Sequence, residues 1–116
     1  MGKEEFQLLK VNEIPGSEKE PGILVKLLAT GENVSLSLLY AEPGKSFEIH
    51  EHPEEELAYI LQGNGILTVA GKPYPVEAPC VMKIPPHLSH GLEVTGKETL
   101  LKLNAHSPAR NRALKK

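Results

Sequence analysis

Two histidines one residue apart, His50 and His52, with a carboxylate, Glu56, four positions further on, are the residues of this chain best suited to do chemistry. An extended segment projects alternate side chains from one face, so His50 and His52 can aim their imidazoles at one point in space. Neutral imidazole nitrogens with a carboxylate oxygen suit a divalent transition metal: Fe, Mn, Co, Ni, Cu or Zn. Three more histidines, His87, His90 and His106, are available as a fourth ligand. Pro85-Pro86 stops one strand, and the chain re-enters another at His90.

The elements that must position these groups are short strands. Val34 to Tyr40 alternates serine with leucine, and Phe47 to His52 alternates apolar with polar residues, which is the period of a half-buried strand. By the same period, Glu48 shares the face of His50 and His52, while Phe47 and Ile49 face outward. Further strands are expected over Phe6–Val11, Ile23–Leu28, Leu57–Leu61, Ile66–Val69, Tyr74–Val76, Val81–Ile84, His90–Val94 and Thr99–Ala105. Asn12 to Gly22, with two prolines, two glycines and a run of charge, reads as a loop. No segment before the tail has a helical period. Short strands broken by Gly/Pro turns indicate an all-β barrel or sandwich.

The 116 residues fit one domain. A single cysteine, Cys80, cannot form an internal disulfide and favours a reducing compartment. The start, Met1-Gly2-Lys3-Glu4-Glu5, lacks the apolar core of a signal peptide. No stretch approaches the roughly 20 apolar residues of a spanning helix, so a cytoplasmic location with no membrane partner is expected. A net charge of −2 and few aromatics leave no surface for nucleic acid. The cationic cluster Arg110, Arg112, Lys115 and Lys116 reads as a solvated basic tail over residues 109–116.

Gly44, five residues, His50-x-His52, three residues, Glu56, six residues and Gly63 together resemble the first motif of the cupin superfamily at every defined position. Pro85-x-x-x-x-His90 resembles the core of the second motif, at the short spacing of small single-domain cupins. Pro79 and His87 stand where the second motif usually has glycine, and Val94 where it sometimes has asparagine. The resemblance spans about residues 23–108. It implies a jelly-roll β-barrel that holds one divalent metal on His50, His52, Glu56 and His90. It also implies a partner in a second copy of the chain, as a homodimer.

Fold does not fix function. One reading is a metal-dependent dioxygenase or isomerase of a small molecule, with Glu48 and His87 as candidate catalytic groups for proton movement. The other is a non-catalytic cupin that holds a small ligand as sensor, carrier or store. His87 reads either as a solvated loop imidazole or as a proton carrier, and His106 as structural or exposed. Glu54 and Glu55 read as solvent-facing, unless one orients a ligand imidazole. Tyr40 and Gln62 are candidate polar groups of the lumen, and Tyr59 packs outside. Lys102 and Asn104 share one face of the last strand. Both arginines lie in the tail, so no strand-borne arginine is available for phosphate or carboxylate, which weakens nucleotide-sugar chemistry.

Overall fold

The computed structural model describes residues 5–110. Ten strands form: β1 Ser17–Glu20, β2 Ile23–Thr30, β3 Ser35–Ala41, β4 Ser46–His50, β5 Glu55–Gln62, β6 Asn64–Val69, β7 Lys72–Glu77, β8 Cys80–Ile84, β9 His90–Thr95 and β10 Leu100–Ser107. They pair antiparallel into a six-stranded sheet, β1-β2-β3-β10-β5-β8, and a four-stranded sheet, β4-β9-β6-β7. The only helical turn among the described residues is a 3-10 turn at Val11–Glu13. Among them no helix is long and apolar enough to cross a membrane.

The jelly-roll β-barrel expectation is corrected here. Each sheet is open: β1 and β8 are the edges of one, β4 and β7 the edges of the other, and neither sheet closes on itself. Inward/outward alternation is the same along a barrel strand and along a strand of two facing sheets, so the sequence pattern cannot distinguish them. Closure is decided at the edges. On β7, Pro73 and Pro75 remove two N–H donors that a further strand would need.

The core lies between the sheets. Ile23, Leu39, Ala41, Ile60 and Leu100 from the larger sheet meet Leu67, Val76, Leu92 and Val94 from the smaller one. Half-buried Cys80 packs against this core. In β5 the alternation is strict, with Glu56, Ala58 and Ile60 buried and Leu57, Tyr59 and Leu61 exposed. Gly63 ends β5 at φ +99°, and a Cβ there would lie 2.7 Å from Leu100 Cα. Glycine is therefore required at this corner both for conformation and for space.

Two further expectations fail. Phe6 to Lys10 forms no strand and is exposed, because it finds no pairing partner. The stretch read as a loop contains β1, whose register with β2 shifts between Glu18 and Glu20. Of the basic tail, Arg112, Lys115 and Lys116 lie outside the described residues.

Candidate metal centre

Both sheets contribute to one cavity of about 380 Å³. The four-stranded sheet supplies His50 and His90, which face each other across the β4–β9 pair. The six-stranded sheet supplies Glu56 and His106, which face each other across β5–β10. His52 lies just beyond β4. Its carbonyl accepts a hydrogen bond from the His87 N–H at 2.8 Å, which fixes the loop.

The imidazoles share a pattern. His50 Nδ1–H donates to the Glu48 carbonyl at 2.8 Å, His52 Nδ1–H to the Glu54 carbonyl at 3.0 Å, and His90 Nδ1–H to the Leu88 carbonyl at 2.8 Å. A carbonyl can only accept, so each Nδ1 carries the proton and each Nε2 presents a lone pair. Outer hydrogen bonds of this kind orient metal-ligating histidines. Burial lowers the pKa of His52 and His90, with the Arg110 charge adding to the effect at His52. Both are therefore neutral, as ligation requires.

Glu56 Oε1 stands at the convergence. It lies 3.3 Å from His52 Nε2, 3.3 Å from His106 Nε2 and 3.7 Å from His90 Nε2. With Nδ1 protonated, His52 and His90 direct lone pairs toward a carboxylate oxygen. Acceptor facing acceptor in a buried site is unfavourable unless a cation or proton lies between. His50, His52 and His90 place their ligand atoms within 4.8 Å of one another, and so do His52, Glu56 and His106. The donor set thus fits a metal, and the cluster is capable of coordinating one.

Burial alone would raise the pKa of Glu56. The hydrogen bond from His106 and the Lys102 ammonium, 2.6 Å from Oε2, outweigh it and hold the carboxyl well below the usual carboxylate range. Glu54 is buried rather than solvent-facing. Its carboxylate lies 3.4 Å from His52 Nδ1 and 3.5 Å from Arg110 Nε. Glu55 is exposed.

Glu48 and His87 are both exposed and neither lines the cavity. Alternation fails at Glu48 because β4 is bulged. Phe47 opposes Leu92 and His50 opposes His90, so three steps on β4 match two on β9. The extra residue turns Phe47 and His50 to the same inner face and leaves Glu48 and Ile49 outside. Phe47 accordingly lines the cavity instead of packing outside. His87 lies 3.8 Å from Glu51 and has φ +66°, the conformation for which its motif usually carries glycine. Tyr40 and Gln62 are not on the cavity wall, and Gln62 instead donates to the Thr99 carbonyl at 2.9 Å.

Lys102, Asn104, His106 and Arg110 all line the cavity, and of these only His106 stood among the candidate ligands in the sequence. A signal was present for three. Lys102, Asn104 and His106 alternate with Leu101, Leu103 and Ala105, and β10 pairs with β5 so that His106 opposes Glu56. Arg110 carried no such signal, because it lies past the end of β10 and returns to the cavity through its own N–H, which donates to Ser35 Oγ at 2.7 Å.

Residues 37–105 match a family described as the cupin domain. No curated protein matches the chain. Among solved structures, an RmlC-like cupin from Shewanella frigidimarina superposes with a TM-score of 0.84 at 18% identity, covering 95% of this chain and 97% of its own. KdgF from a Halomonas species gives 0.83 at 20% identity, covering 91% and 98%. A protein described as a predicted oxalate decarboxylase from Thermotoga maritima gives 0.77 at 23% identity, covering 88% and 99%. At these identities the likeness concerns the fold alone.

Proposed function

The chain belongs to the cupin-domain family, and from that premise we propose that it is a metal-dependent enzyme acting on a small molecule, as a dioxygenase or an isomerase. His50, His52, Glu56 and His90 would hold one divalent transition metal. When bound, the ion would supply Lewis acidity toward an oxygen of the substrate. The observation that carries the reading is the convergence of unprotonated imidazole nitrogens on Glu56 Oε1 at the wall of a ligand-sized cavity.

The chain's own residues do the rest. The carbonyls of Glu48, Glu54 and Leu88 hold the three ring tautomers. Leu39, Phe47, Leu67 and Leu92 line the cavity with apolar surface that excludes water from a bound molecule. Lys102 and His106, beside Glu56, keep it an ionised carboxylate on the wall. Glu48 and His87 would reach a substrate from the rim only. A second copy of the chain is the proposed protein partner, seated on the outer face of the larger sheet, where Leu57, Tyr59, Leu61 and Val81 are exposed.

The test is metal analysis of protein purified without added metal, followed by anaerobic substrate screening with oxygen uptake as the readout. Iron with oxygen uptake supports a dioxygenase, and turnover without uptake supports an isomerase. Full metal loading with tight retention of a small molecule and no turnover of it would overturn the enzymatic reading.

A further inference from the structure

The charge around the cavity is unbalanced. Lys102 stands on its wall, Lys19 at its rim, and Arg110 covers the β3 side. Two carboxylates oppose these three cations: Glu56, paired with Lys102 at 2.6 Å, and Glu54, paired with Arg110 at 3.5 Å. Lys19 makes no ion pair among the described residues. One positive charge is therefore in surplus before any metal is counted, and a divalent ion would enlarge the surplus. Lys19 is exposed and its charge is screened by water, whereas Arg110 is half-buried, and its planar guanidinium is the side chain best shaped to hold a carboxylate.

A second observation points to the same ligand. Asn104 lies on the same wall and is 7% exposed, and its Oδ1 has no hydrogen-bond partner in the protein. A buried acceptor left unpaired is costly, so a ligand that brings an O–H or N–H to it is favoured. The remaining wall is largely apolar, with Val25, Leu27, Leu39 and Phe47.

We infer that the cavity selects a small organic carboxylate carrying a hydroxyl group on an apolar body. The carboxylate meets Arg110 and Lys19, and the hydroxyl donates to Asn104 Oδ1. This deepens the proposed function and rests on it for the size of the positive surplus, whereas Arg110, Lys19 and Asn104 are not among the proposed metal ligands.

The test is calorimetric titration of zinc-loaded and metal-free protein with acetate, lactate and mandelate, each against its uncharged amide, with zinc content measured in parallel. The expected result is that at least one acid binds about 10-fold or more tightly than its amide. Arg110→Gln should remove that preference while zinc content stays unchanged. In the wild type, mandelate should bind more tightly than the non-hydroxylated phenylacetate, and Asn104→Leu should abolish that difference. Equal binding of acids and amides, no binding of any acid, or an unchanged preference in Arg110→Gln would overturn the inference. A charge preference in metal-free protein that takes up no zinc would sink the proposed metal centre and leave the anion subsite standing.

Discussion

Lys102 Nζ lies 2.6 Å from Glu56 Oε2, so one oxygen of the central carboxylate is committed to a lysine while the other faces three imidazoles. Both side chains are nearly buried, at 12% and 4% exposed. Removing one partner of such a pair leaves the other charge uncompensated. Lys102→Met should cost about 3 kcal/mol in denaturant unfolding. Adding Glu56→Gln should restore part of it, because the orphaned charge is then gone. Additive costs in the double-mutant cycle would show that the two residues are not coupled.

His52 belongs to both donor triplets, whereas His50 and His106 belong to one each. His52→Ala should lower metal affinity most, by at least about 100-fold, and His50→Ala and His106→Ala by less. The measurement is competition against a chromogenic chelator. Wild-type metal content in His52→Ala would refute the site.

Acid should release metal and destabilise the fold together. His52 and His90 have folded pKa values below the ordinary imidazole value of about 6.5, so the unfolded chain binds more protons than the folded one in that range. The stability they support is present above about pH 6.5 and is lost as pH falls through 6.5 toward the lower folded values. Glu56, also depressed, adds a second loss below its unfolded value of about 4.3. Melting temperature and bound metal, followed from pH 8 down to about pH 4, should decline in step. A flat profile through this window would contradict the assignment.

Gly63→Ala should destabilise by more than about 1 kcal/mol, since it adds a Cβ both at positive φ and 2.7 Å from the Leu100 backbone. Gly44 also has positive φ (+88°), but no atom lies within 4 Å of a Cβ built there, so Gly44→Ala should cost less. Thermal melts of the two variants give the comparison directly.

Tyr59→Lys and Val81→Glu place charges on the exposed apolar face of β5 and β8, where Tyr59 and Val81 are register partners. If a second copy sits on this face, sedimentation should show the wild type as a dimer and the double variant as a monomer. The same sedimentation coefficient for both would place any association elsewhere.

Strand positions and the cluster's main residues were legible in the sequence because alternation and spacing are local. His50, His52 and His90 gather in one cluster, and His52 and Glu56 join His106 in another. What escaped depends on pairing. The bulge that turns Glu48 outward exists only because β4 is matched against β9. His106 reads as a terminal histidine until β10 is registered with β5. Arg110 reads as tail because its tie to Ser35 spans most of the chain. The absence of barrel closure is likewise a property of sheet edges, which alternation does not encode.

The two sheets are separate in their hydrogen bonding, yet His50 and His90 belong to one and Glu56 and His106 to the other. A cation shared by both pairs would act as a rivet between layers otherwise held together by apolar packing. Supply of the ion would then govern how long the folded protein survives, and starvation for metal would register first as protein turnover.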